Sequence, residues 1–297
     1  MLYLFSMTEL AAESILTALA AKNVADLQYV AFDVETTGLS PVACRVVELS
    51  GVRFRLGQEQ VEKETFSTLV NPGQPISPEV AQIHGIDDAM VADAPSMAEV
   101  LPRFREFCGP AVLIAHNASF DVEFLKLESL RNGQPLPENA VLDTLALAQQ
   151  LSLPTVNNKL KTLSEHFGFA GSLYHRALDD SFYVQKLFEK LVRLGGITSF
   201  GQFIDGAAAF SFHCEQRFAK PVLNAEQAQR LALIKVALES GQSLRLVYES
   251  EFRSTRVVNP LAIVESRGSY YITAYCTRSK AERTFRLDRI REAGLIG

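Results

Sequence analysis

The sequence contains no tryptophan, so no function that needs an indole can be assigned to it. Cysteine is sparse. Cys44, Cys108, Cys214 and Cys276 stand far apart, with no Cys-x-x-Cys pair. That spacing argues against a zinc site or a disulfide framework, and it sets reduced thiols in a cytoplasmic protein as the expectation. No apolar run is long enough to span a bilayer, so no membrane association is expected. Low-complexity tracts and internal repeats are missing. The first five residues are apolar but have no basic flank, and Glu9 and Glu13 interrupt the next stretch, so no signal sequence is read there. What is present is apolar mass. A chain of 297 residues that is 47% hydrophobic can build one large domain or two ordinary ones. The net charge of −5 argues against nucleic-acid binding over the whole surface. The charge is uneven, however. Residues 27–195 carry 14 basic and 21 acidic side chains, whereas residues 241–297 carry 10 basic and 6 acidic ones. An acidic, cation-seeking body with a basic appendage is the reading.

Taken in order, residues 8–22 have helical periodicity, with Leu10, Ile15, Leu16 and Leu19 on one side and Thr8 as a cap. Residues 28–35, 45–54 and 64–70 read as three strands of an antiparallel meander, with a hairpin turn at 57–60. A short helix begins after Ser77, with Pro78 at its first position. A second helix, over 96–107, is again opened by a serine. Ala111 to Ala115 is all apolar, as expected for a strand buried on both faces. Further helices are expected to about 130, near 145–151, near 159–167 and over 175–194, with a brief strand at 140–142. This alternation of strands and helices predicts an α/β layered domain with a mixed sheet. Residues 196–222 contain scattered phenylalanines and no clear period, and read as an ordered linker. A helix capped by Asn224 and four strands (243–248, 256–264, 269–276, 283–287) then form a small β-rich unit. The expected domains are therefore 1–195, a linker at 196–222, and 223–297.

The chemistry concentrates where strands end and helices begin. The apolar run Tyr29-Val30-Ala31-Phe32 delivers Asp33 and Glu35, which alternation places on one face of a strand. Two carboxylates on one face repel unless a cation lies between them, and their oxygens suit Mg²⁺ or Mn²⁺. Asp121 comes after a buried strand at the head of a helix, and Asp179-Asp180 open another. Gly38 gives the chain freedom to turn close to a ligand.

Together these stretches resemble the DEDDh family of 3′-to-5′ exonucleases, over roughly residues 28–194. Phe32-Asp33-Val34-Glu35-Thr36-Thr37-Gly38-Leu39 matches the family's first motif. His116-Asn117-Ala118-Ser119-Phe120-Asp121 matches the second, and His175-Arg176-Ala177-Leu178-Asp179-Asp180 the third. Lesser matches are Ile83-His84-Gly85-Ile86, Leu142-Asp143-Thr144-Leu145 and Asn158-Lys159-Leu160. The resemblance implies an RNase H-like fold in which Asp33, Glu35, Asp121 and Asp180 hold two divalent cations, with Asp33 bridging. His175 is the implied general base toward the attacking water. Motif spacing selects Asp180 over Asp179, and Asp143 is expected to start a helix rather than to bind metal. Thr36, Leu39, His84 and Asn117 are implied contacts to the terminal nucleotide. In such a site, paired cations can serve the attacking and leaving oxygens of a phosphodiester together. They also neutralise the acids that would otherwise repel a polyanion.

The basic C-terminal part resembles a WYL domain, from about Leu244 to Ile290. Val258-Asn259-Pro260-Leu261, the run Tyr270-Tyr271-Ile272-Thr273-Ala274-Tyr275-Cys276 and the run Arg283-Thr284-Phe285-Arg286-Leu287-Asp288-Arg289-Ile290 carry the likeness, with Tyr and Ile in place of the signature Trp and Leu. It implies a small Sm/SH3-like barrel with a ligand-sensing or single-strand-binding role. Aromatics interleaved with arginines suit base stacking and phosphate contact, which nominates Tyr271, Arg283 and Arg286. Tyr270 and Tyr271 face opposite sides of a strand, so one of them at most is expected to meet a ligand.

The expectation is a metal-dependent 3′-5′ exonuclease acting on nucleic acid 3′ ends, with single-stranded DNA favoured over RNA. A polymerase or repair complex is a candidate partner. The alternatives are a 3′ exoribonuclease and a catalytically silent nucleic-acid-binding regulator.

Overall fold

A computed structural model describes residues 15–58, 63–169, 176–212, 222–249, 252–266 and 269–296. The chain divides near residue 215 into two compact units. Thr8, Leu10, the end of the 57–60 turn, His175, Cys214 and Phe218 lie outside the described residues.

The first unit is built on a six-stranded mixed sheet. β1 (Tyr29–Thr36), β2 (Val46–Phe54) and β3 (Glu64–Leu69) form the expected antiparallel meander. α1 (Pro78–His84), α2 (Asp88–Val91) and α3 (Met97–Cys108) come next, then β4 (Val112–Ala115), α4 (Ser119–Arg131) and β5 (Ala140–Asp143). β4 and β5 add in parallel beside β1, and a short strand, β6 (Ala209–Ser211), follows at the edge, so the sheet order is β3-β2-β1-β4-β5-β6. α5 (Thr144–Gln150), α6 (Leu160–His166) and the long α7 (Ala177–Gly195) complete the layers. The caps obey the local sequence. Ser77 accepts the Val80 N–H, Ser96 and Glu99 form a capping box, and Gly196 ends α7 in the left-handed conformation.

One observation amends the expected layout. Residues 196–212, expected as linker, supply the short helix α8 (Gly201–Asp205) and the strand β6 (Ala209–Ser211), which pairs antiparallel with β5 at the sheet edge. Phe200, Phe203, Phe210 and Phe212 are buried in the first unit's core, which is why this stretch carries so many aromatics. A three-residue strand is too short for alternation to announce it.

The two faces of β1 explain the position of the acids. Tyr29 and Ala31 pack with Val184, Leu187, Phe188 and Leu191 of α7. Val30, Phe32 and Val34 pack with α3 and α4 through Val100, Leu101, Phe104 and Phe124. Every residue of β1 is buried except Asp33 and Glu35, which continue the α7 face as its only partly exposed positions. A register shift between Glu35 and Thr36 ends the β1–β2 ladder just past the acids.

The second unit opens with α9 (Ala225–Ser240), capped reciprocally by Asn224 and Gln227. β7 (Leu244–Glu249), β8 (Arg253–Ser266), β9 (Ser269–Cys276), β10 (Ala281–Arg286) and β11 (Ile290–Leu295) form an antiparallel sheet in the order β10-β9-β8-β7-β11. β11 goes beyond the four strands expected. Leu231, Ile234 and Ala237 of α9 pack on Leu244, Leu246, Val258, Ile272, Ala274 and Phe285. Among the described residues, no helix is long and apolar enough to cross a membrane.

Candidate functional site

Three of the nominated acids converge. One carboxylate oxygen each from Asp33, Glu35 and Asp180 lies within 4.8 Å of the others, although 145 residues separate Glu35 from Asp180 in the chain. Asp180 sits in the first turn of α7, on the helix that covers the Tyr29–Ala31 face of β1. Asp121 enters from the first turn of α4 and accepts the Val34 N–H at 3.2 Å, the amide between the two strand acids. The structure thus brings all four acids to the end of β1. His175 lies outside the described residues, immediately before Arg176.

The electrostatics are those of a cation site. Burial pushes the Asp33 carboxyl well above its ordinary range, and the neighbouring charges of Asp121, Glu35, Asp180 and Glu48 push it further. Glu35 is raised to about 8, first by burial and then by Asp180, Glu48 and Asp121, with Arg176 pulling the other way. Carboxyls held this close in a buried place retain protons at neutral pH unless cations replace them. The donor set is all hard oxygen, which fits Mg²⁺ or Mn²⁺.

The turn after β1 is fixed locally. Thr36 is buried and donates its hydroxyl to the Gly38 carbonyl at 2.8 Å. Gly38 has φ +151°, and a Cβ there would stand 2.9 Å from the Cys44 sulfur, so this position accepts only glycine. Leu39 next to it is 80% exposed, a large apolar side chain presented to solvent. Asn117 is exposed at φ +61°, with its N–H donated to Asp143. Asp143 also accepts the Leu145 N–H and so caps α5, as the sequence led one to expect. His116 binds the Thr144 hydroxyl through Nδ1 and the Asn158 carbonyl through Nε2. Burial lowers its pKa, so it is a neutral structural histidine. His84 is buried at the end of α1, where its Nδ1 accepts the Ile86 N–H.

One participant was not anticipated. Glu48 of β2 stands directly opposite Glu35 in the ladder and is 2% exposed. It binds Arg176 with both oxygens (3.2 and 2.8 Å) and accepts the Ala177 N–H at 3.0 Å. The available signal was a lone acid in an otherwise buried strand, which has to find a partner.

In the second unit, the β9–β10 ladder pairs Tyr271 with Arg286, which puts them on one face. Arg286 is held by a two-fold contact with Asp288, which raises its pKa. Arg283 is exposed and lies three positions away on the same strand, hence on the opposite face. The structure brings two of the three nominated residues together and leaves Arg283 apart.

The profile of the RNase T exonuclease family matches residues 30–188, and that of the WYL domain matches residues 229–295. The chain belongs to the exonuclease family. Its relatives include the PolC-type DNA polymerase III of Caldanaerobacter subterraneus subsp. tengcongensis, 42% identical over 165 residues, and a DNA polymerase III subunit epsilon-like protein of Rhodobacter capsulatus, 40% identical over 191 residues. Those matches cover 56% and 62% of this chain, but only 12% and 27% of the relatives' own lengths. Among solved structures, exonuclease I shares the fold with a TM-score of 0.52 and 18% identity, covering 84% of this chain and 55% of its own. The nuclease domain of 3'hExo, a DEDDh family member solved with bound rAMP, has a TM-score of 0.50 at 19% identity, covering 57% of this chain and 92% of its own. The exonuclease unit thus holds the converging acids, and the WYL unit holds the Tyr271–Arg286 pair.

Proposed function

We propose that this chain is a metal-dependent 3′-5′ exonuclease that removes nucleotides from the 3′ ends of single-stranded DNA in the cytoplasm, with its WYL unit retaining the strand. The observation that carries the reading is the convergence of Asp33, Glu35 and Asp180 within 4.8 Å, with Asp121 bonded to the amide between the first two. These four acids would hold two divalent cations, Mg²⁺ or Mn²⁺. When bound, such cations lower the pKa of water and stabilise a leaving 3′-oxyanion. The protein's own part is to orient the acids and to exclude competing ligands. His175, one residue before the Arg176 that Glu48 grips, takes the proton of the attacking water. The exposed Leu39, the turn at Thr36, and Asn117 and His84 contact the terminal nucleotide. Tyr271 stacks on a base of the trailing strand, while Arg286, braced by Asp288, meets a phosphate. Five intact ionisable positions, His175 included, weigh against a silent regulator. The names of the polymerase III relatives make a polymerase or repair complex a fitting partner.

The test is the full-length protein with Mg²⁺ or Mn²⁺ and 3′-labelled DNA and RNA, single- and double-stranded. Release of labelled mononucleotide from single-stranded DNA is expected, and His175→Ala should fold normally and lose about 10²- to 10⁴-fold in turnover. Tyr271→Ala should weaken binding of long single strands more than cleavage of short ones. Release from RNA alone would replace the DNA assignment, and no release with either metal would overturn the reading.

A further inference from the structure

α7 begins at a position that lacks a local cap. Arg176 precedes its first residue and supplies no side-chain acceptor for the helix's free N–H groups. The acceptor comes from another element, since the Ala177 N–H is satisfied by Glu48 of β2, 129 residues away in sequence. The same carboxylate binds the Arg176 guanidinium through both oxygens, so three donors hold it. Two residues along β2, on the same face, Ser50 lies 2.7 Å from the Ser181 hydroxyl. Ser181 donates its own proton to the Ala177 carbonyl at 2.8 Å, so Ser50 is the donor to Ser181. Two adjacent same-face side chains of β2 therefore grip both ends of the first turn of α7. Asp180 lies between the gripped positions. Across the ladder Glu48 faces Glu35 and Ser50 faces Asp33, so β2 registers the helix against the two strand acids pair by pair.

We propose that Glu48 is a positioning residue of this site: together with Ser50 it fixes the first turn of α7 so that Asp180 meets Asp33 and Glu35, while Arg176 occupies both Glu48 oxygens and keeps this fifth acid out of the ligand set. The proposal rests on the metal-binding reading above and adds to it the device that assembles the ligands. Asp180 is the one acid of the converging trio that does not come from β1, so its alignment has to be set by tertiary contacts, and the buried Glu48 carboxylate with its three donors holds the start of its helix. The contact is rigid because Glu48 is 2% exposed, and it is directional because both of its oxygens are used.

Calorimetric titration of the full chain with Mn²⁺, beside thermal melts in chelator, tests this. Glu48→Ala should weaken Mn²⁺ binding by about 10- to 100-fold, as loss of a partner that orients a metal ligand does. In the cleavage assay the loss should fall on kcat, with KM little changed. Glu48→Gln keeps an oxygen for the Ala177 N–H and should retain Mn²⁺ affinity within about threefold of wild type, the conservative change rescuing position without charge. If Glu48→Ala melts far below wild type, Glu48→Gln and Ser50→Ala carry the comparison, and Ser50→Ala is expected to weaken Mn²⁺ binding less than Glu48→Ala does. Unchanged Mn²⁺ affinity in Glu48→Ala overturns the positioning role, as does a Glu48→Gln loss equal to that of Glu48→Ala. A wild-type protein that takes up no Mn²⁺ sinks the metal reading itself and this role with it, an outcome distinct from one in which the wild type binds and Glu48→Ala binds equally well.

Discussion

The exonuclease unit sets two kinds of carboxylate beside its core, and the contrast between them separates acids matched by arginine from acids clustered with one another. Glu48 and Glu128 are 2% and 3% exposed, and each is answered by arginine: Glu48 by Arg176, Glu128 by Arg131 at 3.1 Å and Arg45 at 3.9 Å. Asp33 and Glu35 are surrounded by other acids, and burial and neighbouring charge together drive their pKa values up. A chain that builds guanidinium partners for two buried acids has the means to do so for the others. Where it instead packs acids around Asp33, the arrangement suits positive charge brought by bound cations, as the proposed function requires.

The largest effect that would sharpen this contrast is on Asp33. Asp33→Asn removes a ligand from the centre of the cluster, and the cation stabilisation it forfeits, several kcal/mol, corresponds to a loss of about a thousandfold or more in turnover. The same substitution relieves repulsion, so the metal-free variant should melt above metal-free wild type. Turnover and melts in chelator measured on one preparation read both. A variant that loses activity and also stability would place Asp33 with the structural acids.

On the other side stands Glu128. Arg131→Met leaves this buried carboxylate with Arg45 and the Val46 backbone, and breaking a buried pair costs at most about 3 kcal/mol here, the low end of such losses, because Arg131 is partly solvated and those partners remain. Denaturant unfolding should register that loss, while turnover per folded molecule and Mn²⁺ affinity stay at wild-type values. A fall in Mn²⁺ affinity would show that the two classes of acid are coupled.

The acids of the cluster were far easier to read from sequence than those matched by arginine. Asp33 and Glu35 come after an apolar run at a spacing of two, so strand alternation alone puts them on one face. Asp121 and Asp180 stand at helix starts within motifs whose order is informative. Helix caps at Ser77, Ser96 and Asn224 were legible because the capping interaction is local. What escaped was non-local: Glu48 gains its meaning only when β2 pairs with β1 and α7 lands on both, contacts that span more than a hundred residues. β6 escaped for a related reason, since a three-residue edge strand is defined by its neighbour, and β11 escaped because Ile290-Arg291-Glu292-Ala293-Gly294-Leu295 shows no sustained alternation. The Tyr271–Arg286 pairing and the separation of Arg283 likewise depend on register, which composition does not encode.

The smallest expected change from one measurement to the next is in pH dependence, and it reads the acid cluster without mutation. A carboxyl whose folded pKa is raised contributes stability that is fully present below its unfolded value and is lost as pH rises through the folded value. For Glu35 that window runs from the ordinary 4.5 up to about 8, and Asp33 acts in the same direction. Metal-free protein should therefore lose stability as pH rises across this range, by at most about 1.4 kcal/mol per pH unit for each proton concerned. Saturating Mn²⁺ takes the place of those protons and should flatten the slope. Melting temperatures at half-unit steps, with chelator and with Mn²⁺, supply the measurement. Asp33→Asn should flatten the metal-free slope as well, because it removes one raised carboxyl and relieves Glu35. Arg131→Met should leave the cluster's share of the slope in place and add to it, because losing the guanidinium pushes the already raised Glu128 carboxyl further up. A metal-free slope that is already flat in the wild type would mean that Asp33 and Glu35 are neutralised within the chain, and the contrast with Glu48 and Glu128 would then vanish.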